Sequence, residues 1–352
     1  MIIKKLPLTL IVLALALILG GYSAYKEYQK SQIATKKQEE IKQAVNPIFG
    51  SISAPKISFV YQSEQNATIG VDVPTEQAPA YTAPVYQYLK DTKVDEKTAR
   101  QIAQSLKLET TAFPQEDGSS IFYNRDKSAS LTFWNEFQQF SFYDQGLNYN
   151  LTRPTREGAV LTAKNYLNEF GLENYNLVPD ETGVAYKISK GNQYPTDGTA
   201  DTYDTVFVPF VRNLGSPAGE FKTTSLPYQS YLLTMMIGPE NKIKNLSLYY
   251  TALDTSRFGT YPLKDIKGAI EEVKENKGIL VNLKMPESFY FDVDAPKPKV
   301  VSVSVQQYEI KILDKQNIDY AQPVYVFEGM ASLEDGQVVP ATYFVPAVDV
   351  EW

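Results

Sequence analysis

The chain has 352 residues and a net charge of −7, with neither histidine nor cysteine. Those two absences remove the Ser-His-Asp triad, the Cys-His pair, His-ligated zinc and every disulfide. An acidic chain without a basic run also offers no electrostatic footprint for nucleic acid, which leaves carboxylate chemistry, a Ser-Lys dyad, oxygen-ligand metal binding, or no chemistry at all.

The first element in chain order is Leu6 to Tyr25, a run without a charge that follows Lys4 and Lys5. At about 1.5 Å of rise per residue it just covers a hydrocarbon core roughly 30 Å thick. It predicts a transmembrane anchor over residues 1–25, placing the protein at the cell membrane as a single-pass, signal-anchor chain with its bulk extracytoplasmic. The competing reading is a cleavable signal peptide, with Gly21 and Ser23 as the small residues at the cleavage site. The length of the run and the lack of a helix breaker before Pro47 favour the anchor. Lysines flank both sides of the run, so charge alone does not set the orientation. Long domains translocate largely regardless of it.

Residues 26–84 read as stalk and linker. Ala24–Val45 is charged and free of Gly and Pro, and Ser51–Pro84 is rich in Pro, Ala, Thr and Gln, with a strand predicted at Ile57–Tyr61. Three helices follow, each leading a run of strands. The first carries Ala99, Ile102, Ala103 and Leu106 at helical spacing, with Asp95 as N-cap. The second has Thr155 as N-cap, an apolar face of Ala159, Ala163, Tyr166, Leu167 and Phe170, and Gly171 as its stop. The third presents Ile266, Ala269, Ile270 and Val273, with Gly278 as its stop. The fold class expected is therefore α+β: an N-terminal transmembrane helix, then repeated modules of an antiparallel sheet covered by one helix. The modules are placed at 85–152, 153–257 and 258–352.

The last of these carries a resemblance. Tyr261-Pro262-Leu263, a short helix ending in Lys277-Gly278, Gln322-Pro323-Val324-Tyr325-Val326-Phe327-Glu328-Gly329 and Phe344-Val345-Pro346-Ala347-Val348 resemble the C-terminal portion of YycH/YycI-type regulatory proteins and related PepSY-like extracytoplasmic modules. Phe207-Val208-Pro209-Phe210-Val211-Arg212 resembles a strand of the same group. The resemblance implies a non-enzymatic regulator or scaffold of the bacterial envelope that binds a sensor histidine kinase or another envelope or membrane protein. It carries over no binding residue, because these words mark strands and turns.

Candidate chemistry is sparse, and no motif calls for a cofactor. Asp197, Asp201 and Asp204 crowd one loop dense in oxygen ligands, a weak candidate for a hard cation such as calcium, yet the spacing misses the EF-hand pattern. Asp292 and Asp294 form a weaker cluster. Glu271, Glu272 and Glu275 share a lysine-flanked helix face, which reads as solvated rather than as a hydrolase pair. Ser53-Ala54-Pro55-Lys56 fits S-x-x-K, but Pro55 denies the helical turn that chemistry needs. The aromatic-rich segment is the remaining candidate. Trp134, Phe137 and Tyr249 would anchor a protein partner or, alternatively, a cell-surface glycan or peptide.

Overall fold

A computed structural model describes residues 41–57, 67–74, 80–89, 96–136, 139–172, 175–190, 195–216, 219–225, 231–249, 252–285, 299–314 and 319–349, with single helical positions at 26, 28, 29, 32, 36 and 39. Residues 41–44 are helical, Asn46 bridges Thr260, and Ile52 and Ile57 are buried. The stretch read as linker thus lies against the body of the protein. It also contributes two strands, β1 (Thr68–Val71) and β2 (Thr82–Tyr88).

After β2 the chain builds α1 (Glu96–Ser105) and a meander of β3 (Phe113–Pro114), β4 (Ser119–Tyr123), β5 (Ala129–Trp134) and β6 (Gln139–Asp144). Next come α2 (Arg156–Glu169), β7 (Leu177–Pro179), β8 (Ala185–Ile188) and β9 (Thr196–Asp197). The second half is completed by β10 (Thr205–Ser216), β11 (Gly219–Thr224), β12 (Leu233–Gly238) and β13 (Lys242–Tyr249). Register pairs β6 with β13, so the two halves form one antiparallel sheet in the order β3-β4-β5-β6-β13-β12-β10-β8-β9. Both helices lie on the same face. Ala99, Ile102, Ala103, Ala159, Ala163 and Leu167 share one core with Leu131, Phe140, Val208, Met235 and Leu246.

The chain then returns in β14 (Leu253–Pro262), which pairs antiparallel with β2, and the Leu89 amide donates to the Ala252 carbonyl at 3.0 Å where the two meet. Everything from α1 to β13 is therefore inserted between two neighbouring strands. The frame that receives it is completed by α3 (Ile266–Lys274), β15 (Ile279–Leu283), β16 (Val300–Leu313), β17 (Tyr320–Leu333) and β18 (Val338–Pro346). Its strands run β16-β17-β18-β15, with β1 and β11 both added parallel to β16. Helix α3 seats Ile266, Ala269, Ile270 and Val273 in a second core with Tyr325, Phe327, Tyr343 and Val345.

The helix signals act locally. Thr155 accepts from the Gly158 amide at 3.0 Å, and Asp265 accepts from the Lys267 amide at 2.8 Å, each satisfying an orphan donor of the first turn. All three helices stop in the same Schellman pattern. Amides of Lys107 and Leu108, of Gly171 and Leu172, and of Asn276 and Lys277 return to the last turn. In α3 the left-handed residue is Asn276 at φ 55°, two positions before the expected Gly278.

These pairings correct the expected architecture. The fold is a large mixed sheet system, not a row of antiparallel modules each under its own helix. Two of the helices share one sheet, the break expected at 152/153 separates its halves, and β1 and β11 pair in parallel. The physical cause is that strand edges left open by a local meander find partners far along the chain, which local patterning does not encode. The single-pass, signal-anchor reading is also withdrawn. Among the described residues no helix is long and apolar enough to cross a membrane, and residues 6–25 lie outside them.

Insert and frame are joined by β10. Its first half places Val206, Val208 and Phe210 in the insert core, and its end places Leu214, with Phe221 of β11, in the frame core. At the crossing Arg212, 2% exposed, donates from Nε to Asp314 Oδ2 at 2.9 Å, and Tyr88 donates its hydroxyl to Oδ1 at 2.7 Å. A charge buried this deeply is costly when its partner is removed. Asp314→Ala should therefore lose about 3–5 kcal/mol in urea unfolding, and adding Arg212→Met should restore most of it. A single-variant loss below about 1 kcal/mol, the scale of a surface pair, would refute this account.

Candidate functional site

With α1 and α2 on one face of the inserted sheet, the alternate side chains of six strands form the opposite face. Register places them in three rows. The middle row reads Ile121, Thr132, Ser141, Ser247, Thr234 and Pro209 across β4, β5, β6, β13, β12 and β10. The row above holds Ser119, Trp134, Gln139 and Tyr249, and the row below holds Tyr123, Ser130, Tyr143, Asn245, Met236 and Phe207. None of these positions is charged. Strands about 4.8 Å apart and two residues between rows, about 6.8 Å, make the four central hydroxyls a shallow trough roughly 14 Å long. Larger side chains flank it, and its β10 end is closed, with Pro209 buried and Met236, 8% exposed, accepting from the Ser189 hydroxyl at 3.1 Å.

Thr132, Ser141, Ser247 and Thr234 are half-buried, and their hydroxyls make no hydrogen bond to another described residue. The same holds for the side-chain amides of Gln139 and Asn245. This is a face of unspent hydrogen-bonding capacity. Its margins are fixed. Lys244, 5% exposed, lies 4.1 Å from the Tyr143 ring centroid and donates to the Asp144 carbonyl, a cation–π clamp that holds the tyrosine upright. At the other margin Asp117 accepts from the Ser119 hydroxyl at 2.7 Å and from its amide at 3.0 Å. Those bonds, with a smaller contribution from Trp134, hold the Asp117 carboxyl below the usual carboxylate range.

The expected site residues fall unevenly on this map. Trp134 and Tyr249 share one row, with Gln139 between them, while Phe137 lies outside the described residues. The acidic loop does not converge. Asp197 pairs with Lys187 at 2.7 Å, and Asp204 accepts from the amides of Ser189 and Lys190, each at 2.8 Å. Asp201 contributes its carbonyl to Arg153 at 3.0 Å. Among the described residues no three acidic side chains are grouped to hold a metal ion. Asp292 and Asp294 lie outside the described residues. On α3, Glu271 pairs with Lys274 at 3.0 Å and Glu272 with Lys264 at 2.6 Å.

Sequence reasoning missed the hydroxyl row. Its signal was present as paired strings: Leu131-Thr132-Phe133-Trp134 against Leu233-Thr234-Met235-Met236, and Gln139-Phe140-Ser141-Phe142-Tyr143 against Asn245-Leu246-Ser247-Leu248-Tyr249. Attention to helix-led repeats hid the likeness of the strands.

Comparison of the chain with protein-family models, with curated proteins and with solved structures finds no match.

The Asp117 contact makes Trp134 a reporter. A carboxylate with a depressed folded pKa stabilises above its unfolded value, about 3.9, and loses that contribution as pH falls through the folded one. In a Trp352→Phe background, Trp134 emission should hold steady at neutral pH and titrate below about pH 4. Asp117→Asn should abolish that titration. A titration that survives the substitution would sever the link.

Proposed function

We propose that the chain is a non-enzymatic binding protein, a regulator or scaffold that docks another protein on the open face of its inserted sheet. One observation carries this reading: an uncharged expanse over β4, β5, β6, β13 and the start of β12 whose central hydroxyls and amides are unengaged and whose rim holds Trp134, Tyr143 and Tyr249. The buried centres of protein interfaces are poor in charge and rich in aromatic residues. Rigid Tyr and Trp with adaptable Ser and Asn supply contact area at low entropic cost. The glutamates that sequence offered for a hydrolase pair, Glu271, Glu272 and Glu275, are each paired with a lysine. The resemblance to YycH/YycI-type proteins points the same way, toward a sensor kinase or another envelope protein as the partner class, and this step is analogy.

A second reading has its own support. Hydroxyl-lined troughs flanked by aromatic rings also suit a neutral glycan.

Photo-crosslinking decides between them. A photoreactive residue at Thr132 of the full chain should yield an adduct with another protein in cells, and one at exposed Lys164 on α2 should not. Trp134→Ala should weaken the complex roughly thirtyfold, the effect of an aromatic anchor worth about 2 kcal/mol. Envelope polysaccharide recovered without any protein adduct would reject the protein reading.

A further inference from the structure

The aromatic side chains of the open face stand at a regular spacing. In the row above the trough, Trp134 and Tyr249 lie two strands apart, on β5 and β13, with Gln139 between them. In the row below, Tyr123 and Tyr143 lie two strands apart, on β4 and β6, with Ser130 between them. At about 4.8 Å per strand each pair spans about 9.6 Å, and the two rows are out of step by one strand. Across the sheet the rings therefore alternate from wall to wall in the order Tyr123, Trp134, Tyr143, Tyr249. The floor between them is Ile121, Thr132, Ser141 and Ser247.

A polypeptide that uses all four rings needs a repeat near 9.6 Å along its own axis. An extended strand returns to the same face about every 6.8 Å. An α-helix returns about every 5.4 Å, and at roughly 10–12 Å across it would ride on the rings above the hydroxyls. A polyproline II helix returns every three residues, about 9.3 Å at 3.1 Å per residue. Its residues i and i+3 meet one wall. A neighbouring residue meets the other wall about 3.1 or 6.2 Å further on, either of which lies within about 2 Å of the one-strand offset.

Hydrogen bonding makes the same choice. A polyproline II helix has no internal hydrogen bonds and each proline lacks an N–H, so such a ligand offers carbonyls and requires donors. The hydroxyls of Thr132, Ser141 and Ser247 and the side-chain amides of Gln139 and Asn245 supply them, since none is engaged by another described residue. The face carries no charge, and a proline-rich segment need carry none. Two of the rings are held before any ligand arrives, Tyr143 by Lys244 and Trp134 by Asp117, which lowers the cost of ordering them. The end of the trough at β3 is open. There Phe113, 43% exposed, pairs with Ile121 and lies 5.8 Å from the Tyr123 ring, so the aromatic path continues outward.

We propose that the open face receives a proline-rich segment of its partner in the polyproline II conformation, lying across β4, β5, β6 and β13. About five residues would span the four rings, with prolines at i and i+3 against one wall. The proposal rests on the docking reading above and adds the conformation and composition of what docks.

The test places a photoreactive residue at Thr132 of the full chain, in cells, and maps the crosslinked partner segment by mass spectrometry. A segment with prolines three residues apart is expected. A synthetic peptide of that segment is then titrated against Trp134 emission in the Trp352→Phe chain. Moving one proline by one residue should weaken binding by at least about tenfold, as should Tyr249→Ala in a chain that circular dichroism shows to be folded. An adduct with a segment lacking that spacing would overturn the polyproline ligand while leaving the docking reading standing. A peptide indifferent to the position of its proline would do the same. No protein adduct at all would remove both readings together.

Discussion

Strand β10 is the constraint on which the rest of the structure hangs, because it belongs to two cores at once. Its early residues close the insert core and Leu214 enters the frame core, so neither core is complete without the other end of the same strand. A strand that changes cores must cross a region where neither apolar cluster covers its backbone. Arg212 sits at that crossing, its amide donating to Thr223 on the neighbouring strand β11 and its side chain to Asp314, far along the chain at the end of β16. Burying an ion pair adds little to stability beyond what an apolar pair would give. What it supplies here is register, since a slip of β10 by one residue would strand a guanidinium among apolar side chains.

The open face follows from that register. Two helix-and-meander halves could have closed back to back, each burying its bare sheet face against the other. Instead β6 and β13 pair edge to edge, which consumes the two open edges and leaves one broad sheet with helices on a single side. Edge pairing satisfies backbone groups that would otherwise invite aggregation. Its consequence is a sheet face without a helix on it, which carries Ser, Thr, Asn and Gln between its aromatic residues.

What the sequence disclosed divides along local and non-local lines. Helix positions, the Thr155 cap, the Gly171 stop and the inward faces of α1, α2 and α3 were legible because 3.6-residue periodicity and capping act within a few residues. The insertion between β2 and β14 was not, since nothing in Tyr88 or Leu253 announces that they are neighbours across the whole insert. Nor was the parallel addition of β1 to β16, in a segment whose Pro, Ala and Gln read as linker. At the candidate site the aromatic residues drew attention by their size, which brought Trp134 and Tyr249 onto the list. The residues between them were invisible for the opposite reason, because a lone serine or threonine in a strand carries no signal until register lines it up with three others.

That alignment also bears on why the acidic loop misled. Asp204 is 8% exposed and spends both carboxylate oxygens on consecutive amides, so its task is to fix the turn leading into β10. A carboxylate in that role resembles a metal ligand in sequence, since both sit in loops dense with oxygen atoms. The difference lies in direction: ligands point inward to a common centre, whereas the carboxylates of Asp197 and Asp204 each face a separate neighbour. The turn Asp204 stabilises sets where β10 begins, and with it the register of Phe207 and Pro209 against β12. The acidic loop therefore serves the strand that links the two cores, not a metal centre.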